Sequence, residues 1–125
     1  MAMVLHSWLT KHLLSDIMSY GNEQEVGGKL LYDRMKAEFD LLERHMKMLR
    51  IIMDGGPVGI IKLSEATGFP QHKVRYSLRI LEGEGLIHPS PRGATATDKT
   101  YEFMVKFKDL LEELEGKIEE LKETL

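Results

Sequence analysis

Residues 61–103 read IKLSEATGFPQHKVRYSLRILEGEGLIHPSPRGATATDKTYEF, and this stretch decides the fold. It predicts a short helix over residues 62–67 and a tight turn at Gly68. A second helix, over about residues 70–82, begins at Pro70, because proline has a fixed φ and no amide hydrogen to leave unpaired in the first turn of a helix. The stretch therefore predicts two helices joined by a tight turn.

The residues that follow predict a β-hairpin. Gly83 and Gly85 can adopt the left-handed backbone conformations that end a helix. Residues 86–101 then predict a two-stranded wing, with a turn over residues 89–93 and a threonine-rich return strand that reaches Tyr101. The prediction is a helix-turn-helix followed by a wing.

The second predicted helix has one apolar side and one basic side. At 100° per residue, Val74, Leu78 and Leu81 lie together. Four residues lie on the opposite side: His72, Arg75, Tyr76 and Arg79. The helix contains no Asp or Glu before Leu81, so its local charge is positive. One side suits a protein core and the other suits an anionic partner such as DNA. An ordinary solvated amphipathic helix is the alternative interpretation.

Residues 60–103 resemble the winged helix-turn-helix of prokaryotic transcriptional regulators, especially the small archaeal ones. The resemblance rests on K-L-S-E-A-T-G at residues 62–68 and on L-x-x-L-E-x-x-G-L-I at residues 78–87. It implies a mainly α fold with a small β-wing, of the α+β class. In that family the second helix enters the major groove of DNA and the wing contacts the backbone or minor groove.

The resemblance also implies a DNA-binding site on the second helix and the wing. By position, the implied DNA-contacting residues are Gln71, His72, Lys73, Arg75, Tyr76 and Arg79 on the helix, and Arg92 and Lys99 on the wing. The chain departs from the family at Pro70, where relatives more often have a capping Ser or Thr. Pro70 offers no hydroxyl for a phosphate contact.

The C-terminal residues predict an amphipathic helix that pairs with a second copy. Its apolar residues alternate at spacings of three and four, the repeat of a coiled-coil seam. The seam consists of Met104, Phe107, Leu111, Leu114, Ile118, Leu121 and Leu125. Because an isolated helix of this length is marginal in water, the stripe must be buried, and we expect a homodimer. The alternative is that the helix folds back on its own domain. Parallel pairing, antiparallel pairing and higher oligomers all stay open.

The N-terminal third predicts a first helix and the start of a long one, whose later part belongs to the winged domain, and we expect the N-terminal region to join the oligomer interface. A first amphipathic helix carries Val4, Leu5, Trp8, Leu9, His12, Leu13 and Ile17. A long helix from about Lys29 to Met53 has Leu31, Met35, Leu42, Met46, Leu49 and Met53 along one face. The predicted domains are an N-terminal helical extension with an oligomer contact (1–37), the winged helix-turn-helix (38–103) and the C-terminal dimerisation helix (104–125).

Composition and charge limit the classes of function. The 125 residues contain no cysteine, which excludes disulfides, thiolate metal sites and cysteine nucleophiles. The histidine spacing predicts no metal site, and without a Gly-rich phosphate loop we expect neither a cofactor nor an enzyme. The net charge is −3, but residues 109–125 carry seven acidic residues against two lysines, so the remainder is slightly basic.

We therefore expect a cytoplasmic DNA-binding protein that regulates transcription as a homodimer. No apolar run approaches the roughly 20 residues that span a bilayer, and no signal peptide is recognised. A protein-binding winged-helix adaptor and a non-specific chromatin-type protein are the alternatives, because a fold does not fix a function. The DNA target, the direction of regulation and any small-molecule effector leave no readable pattern in the sequence.

Overall fold

The computed structural model describes residues 27–125. Their elements, in chain order, are α1 (Lys29–Gly55), α2 (Ile60–Thr67), α3 (Gln71–Gly83), β1 (Ile87–Ser90), β2 (Gly93–Ala96) and α4 (Thr100–Thr124). This mostly helical arrangement with one small antiparallel sheet confirms the predicted α+β class. The predicted first amphipathic helix, between Val4 and Ile17, lies outside the described residues.

The chain divides into two compact units, Met1–Lys47 and Met48–Leu125. α1 has residues in both, and it confirms the predicted long helix while extending two residues beyond the expected end, to Gly55. Four large apolar side chains in the first half of α1 are exposed: Leu31, Tyr32, Met35 and Phe39.

The unit formed by residues 48–125 contains the hydrophobic core. Its buried apolar residues come from the end of α1, from α2, α3 and the hairpin, and are Met48, Leu49, Ile52, Val58, Leu63, Val74, Leu81, Leu86, Ile87 and Ala94. Burying side chains of this kind supplies most of the driving force for folding. The core therefore fixes α3 against α2 and the hairpin.

Side-chain hydrogen bonds hold the turn between α2 and α3. The Ser64 hydroxyl donates to the carbonyl oxygen of Phe69 over 2.6 Å. The Thr67 hydroxyl donates to the carbonyl of Leu63 over 2.6 Å and accepts the Phe69 amide over 3.3 Å. Pro70 precedes α3 with extended backbone and no side-chain cap, as its lack of a hydroxyl requires. The turn thus relies on hydroxyls that belong to α2.

β1 and β2 form an antiparallel hairpin with a two-residue turn. Ile87 pairs with Ala96 and Ser90 pairs with Gly93, which leaves residues 91–92 as the turn. The Ser90 hydroxyl donates to the carbonyl of Gly93 over 2.7 Å and so closes the turn. The turn is tighter than predicted because both strands extend further towards it.

The hairpin is tied to the segment between α1 and α2. The amide of Val58 donates to the carbonyl of Ala94 over 3.0 Å, and the amide of Ala94 donates to the carbonyl of Val58 over 2.9 Å. Gly93 lies at this crossing with a φ of 130°. A Cβ added there would lie 2.5 Å from the carbonyl carbon of Val58, so the close approach of the two backbones requires glycine.

The return strand is shorter than predicted, and this corrects the position of one predicted site residue. The strand ends at Ala96, and Tyr101 lies in α4. Lys99, which the resemblance places on the wing, is the residue that precedes α4. The hydroxyls of Thr97 and Thr100 turn the chain here by donating hydrogen bonds to backbone carbonyls just beyond the end of α3.

α4 is long and little of it is buried. Thr100 is its only buried residue. Its seam residues are partly exposed at Met104, Phe107, Leu111 and Leu114 and exposed at Ile118, Leu121 and Leu125. In the part of the chain that the structure describes, neither α4 nor any other helix is long and apolar enough to cross a membrane.

Candidate functional site

α3 separates a buried side from an exposed side. Val74 and Leu81 are buried as predicted, whereas Leu78 is only half-buried. Ser77 is fully buried on the same side, although its hydroxyl gives no hydrophobic signal in the sequence. The core side of α3 is thus centred closer to Ser77 than the apolar pattern indicates.

The opposite side of α3 carries a basic surface, which we call the basic face and define by Arg75 and Arg79. Both side chains are exposed, as are those of Gln71, His72 and Lys73. Tyr76, which was predicted with them, is half-buried. The exposed cations therefore project from a helix whose other side is fixed in the core.

The cations of the basic face have no ion-pair partner among residues 27–125. Elsewhere in the same range, cations pair with carboxylates three or four residues away, at Lys29, Lys47, Arg50, Lys106 and Lys122. The acidic residue of α3, Glu82, follows Arg79 by three positions but makes no ion pair with it. Unpaired guanidinium groups are strong donors for phosphate and carboxylate oxygens.

Arg92 lies at the tip of the hairpin and is exposed. Its amide donates to the Ser90 hydroxyl over 3.3 Å, which fixes the backbone beneath the side chain. Further along the hairpin, the Thr95 hydroxyl lies 3.3 Å from Nε2 of His88. The hairpin thus presents one cation at a defined position, and Lys99 is exposed beyond its end.

A shallow groove of about 370 Å³ separates the hairpin from α3. Leu78 and Glu82 line it from α3, and residues 89–93 line it from the hairpin. Leu78 lies one turn beyond Arg75, and residues three or four apart are neighbours on a helix surface. The structure therefore brings Arg92 to the side of α3 that also carries the basic face.

Lys62 was not among the predicted site residues. It is exposed on α2 and has no ion-pair partner within residues 27–125. The sequence signal for it is weak, because a single lysine on a short helix is most often solvated. Its position on the helix that precedes α3 makes it an additional candidate for a phosphate contact.

One histidine has a displaced pKa. Burial, and secondly the positive charge of Arg44, lower the pKa of His45 to about 4. His45 is therefore neutral at physiological pH. It lies on α1 and was not predicted as a site residue.

Chemically, the exposed cations of α3 and the hairpin can bind anions such as phosphate or carboxylate. Within residues 27–125, no cluster of three or more His, Asp or Glu side chains could hold a metal ion. No protein-family model matches the chain. The site is defined by exposed cations that a rigid core holds in place.

Proposed function

We propose that this chain binds duplex DNA through a winged helix-turn-helix and regulates transcription as a homodimer. In this proposal α3 is the recognition helix and the β1–β2 hairpin is the wing. The observation that carries the proposal is the basic face, whose two arginines are exposed and unpaired within the described residues. A helix with this division of residues fits the major groove, where arginine can bind phosphates or the acceptor atoms of guanine.

Most of the predicted site residues have a role that the chemistry of their side chains supports. Arg75 and Arg79 contact base edges or phosphates, because their planar forks bind two acceptors at once. Lys73 and His72 contact phosphate. Tyr76 contributes the edge of its ring or its hydroxyl, and Arg92 binds the sugar-phosphate backbone from the hairpin.

The homodimer uses α4. Its apolar stripe is largely exposed, and a second copy offers the same stripe. A dimer would present two recognition helices to DNA, with half-sites about one helical turn, roughly 34 Å, apart. The acidic second half of α4 would be repelled by phosphate, which orients the protein with α3 and the hairpin towards the DNA.

Titration of fluorescently labelled random-sequence duplex DNA tests the proposal. Binding measured by anisotropy at about 50 and 200 mM salt should weaken by an order of magnitude or more, because each neutralised phosphate contributes about 0.9 to the slope of log affinity against log salt. Absence of binding at the lower salt would contradict it. A protein-binding adaptor would instead show no DNA affinity, and its apolar interface would respond little to salt.

A further inference from the structure

We infer that two copies of α4 pair antiparallel, with Leu111 of each copy packed against Leu114 of the other. This pairing rests on the homodimer proposed above and adds its orientation and register. Because the seam repeat alone is equally compatible with parallel helices, the orientation must come from the distribution of charge along α4.

The apolar stripe of α4 is the surface that needs a partner. The exposed fractions of Ile118 and Leu121 are 41% and 63%, and Leu125 is fully exposed. The helix has 25 residues and three complete heptads of seam. Pairing two such helices buries the stripe of each one, at about 25 cal/mol for each Å² of apolar surface.

Charge is distributed unevenly along α4. Residues 99–108 carry three lysines, Lys99, Lys106 and Lys108, against Glu102, whereas residues 109–125 carry seven acidic residues against two lysines. Parallel pairing would place the two acidic halves side by side. Antiparallel pairing places the acidic half of each helix beside the basic start of the other, and it also opposes the two helix dipoles. Electrostatics therefore favour the antiparallel orientation.

The positions that flank the seam favour the same orientation. In a parallel dimer, Lys117 would lie opposite Lys122 of the other copy, twice by symmetry. In the antiparallel register that joins Leu111 to Leu114, Lys108 lies opposite Glu115 of the other copy, again twice. Within residues 27–125, neither Lys108 nor Glu115 has an ion-pair partner, so both are available for these contacts.

The same charges select one antiparallel register. In the chosen register, Met104 packs against Leu121 of the other copy and Phe107 packs against Ile118. A shift of one heptad would place Lys108 opposite Lys122 and would bring the two Glu115 carboxylates together. Like charges at flanking positions disfavour the shifted register, so the register that joins Leu111 to Leu114 is preferred.

This geometry sets the distance between the two winged domains. Thr100, where α4 begins, lies opposite Leu125 of the other copy, so the two Thr100 residues are separated by the length of α4. At 1.5 Å per residue, the 25 residues span roughly 37 Å. One helical turn of DNA is roughly 34 Å, so the points at which α4 joins the two winged domains would be separated by a similar distance.

Cysteine crosslinking tests the orientation directly, because the chain contains no cysteine of its own. We would prepare Met104→Cys, Leu121→Cys and the variant with both substitutions, and oxidise each at equal concentration. The antiparallel register predicts a covalent dimer from the double variant and little from either single variant. Met104 and Leu121 are too far apart on one rigid helix to bond within a chain. Efficient crosslinking of both single variants would show parallel helices and overturn the inference, as would a protein that sedimentation shows to be monomeric.

A charge exchange tests the register without cysteine. Lys108→Glu and Glu115→Lys should each weaken dimerisation several-fold, and the double exchange should restore it, since the two opposing pairs are then re-formed with reversed signs. A double exchange no tighter than the single variants would overturn the register. DNA binding is scored separately on the unmodified chain by anisotropy. If the protein is a monomer that binds DNA, only the pairing inferred here is overturned. If it is an antiparallel dimer that does not bind DNA, only the proposed DNA-binding function is overturned.

Discussion

The hydroxyl of Thr100 donates a hydrogen bond of 2.6 Å to the carbonyl oxygen of Leu86. The amide of Thr97 donates to the same carbonyl over 2.9 Å, and its hydroxyl donates to the carbonyl of Gly85 over 2.7 Å. Thr100 is 1% exposed, so water cannot replace its bond. These contacts fasten the start of α4 to the chain just beyond α3, and they relate the proposed dimer helix to the proposed recognition helix.

Replacing Thr100 by valine should destabilise the protein by about 1–2 kcal/mol, because the variant keeps the shape of the side chain but loses a buried hydrogen bond. Urea denaturation followed by circular dichroism measures the change. Thr100→Ser retains the hydroxyl and should lose less stability than Thr100→Val. Thr124→Val removes an exposed hydroxyl bond near the C-terminus and should stay within about 0.5 kcal/mol of the unsubstituted protein. Equal losses in the Thr100→Val and Thr124→Val variants would contradict the prediction.

Gly93→Ala should be strongly destabilising, by on the order of 3 kcal/mol or more, since the new Cβ would meet the backbone of Val58 and the residue would keep a positive φ. Gly85→Ala is the matched control. Its φ is also positive, at 76°, but nothing lies within 4 Å of the added Cβ. The Gly85→Ala variant should therefore lose only about 1 kcal/mol of stability, the cost of holding a residue with a Cβ at a positive φ. The difference between the two denaturation curves measures the clash, and a Gly85→Ala loss as large as that of Gly93→Ala would rule the clash out.

Local patterns in the sequence predicted the helices well. The spacing of apolar residues located α1 and α3, and Gly68 marked the turn between α2 and α3. The Val58–Ala94 backbone pairing was not predicted, since it joins residues 36 positions apart and uses atoms that every residue has. The early end of the return strand depends on Thr100, whose partner is 14 residues earlier. Contacts at such separations leave no periodic signal.

The candidate site was only partly predictable, because some of its residues lie on regular helical positions and others depend on contacts between distant parts of the chain. Helical geometry alone placed Arg75 and Arg79 away from the apolar side of α3, and their exposure follows from it. Lys99 was assigned to the wing because the return strand was expected to be longer. Ser77 was missed because a hydrophobic pattern cannot identify a buried polar residue. The position of Arg92 near the basic face required the tertiary packing of the hairpin.

Protonation of His45 should make stability depend on pH. The folded pKa, about 4, is lower than the ordinary value of about 6.5 expected in the unfolded chain. Between these values the unfolded state binds more protons, so stability is complete above about pH 6.5 and falls as the pH decreases towards 4. Carboxylates also titrate in this range, so the measurement is the difference between the unsubstituted protein and His45→Gln in urea denaturation at several pH values. Identical pH profiles for the two proteins would contradict the prediction.

Removing Arg75 and Arg79 together should weaken DNA binding at 50 mM salt by on the order of 100-fold, because each arginine contact contributes about 1–3 kcal/mol. The control is Lys106→Ala with Lys122→Ala, which removes the same charge from α4, where both lysines pair with glutamates of the same helix. It should change affinity only a few-fold. Circular dichroism confirms that both variants are folded, and equal losses in the two would show that net charge, not the basic face, governs binding.

The salt dependence of the same variants distinguishes the two roles proposed for the arginines. If Arg75 and Arg79 neutralise phosphates, the slope of log affinity against log salt should fall by about 0.9 for each arginine removed. If they read base edges, the slope should change less, and the variant should lose its preference for a selected site over random DNA. Single Arg75→Ala and Arg79→Ala variants assign the role to each residue. An affinity and slope unchanged in the folded double variant would remove the basic face from the DNA interface.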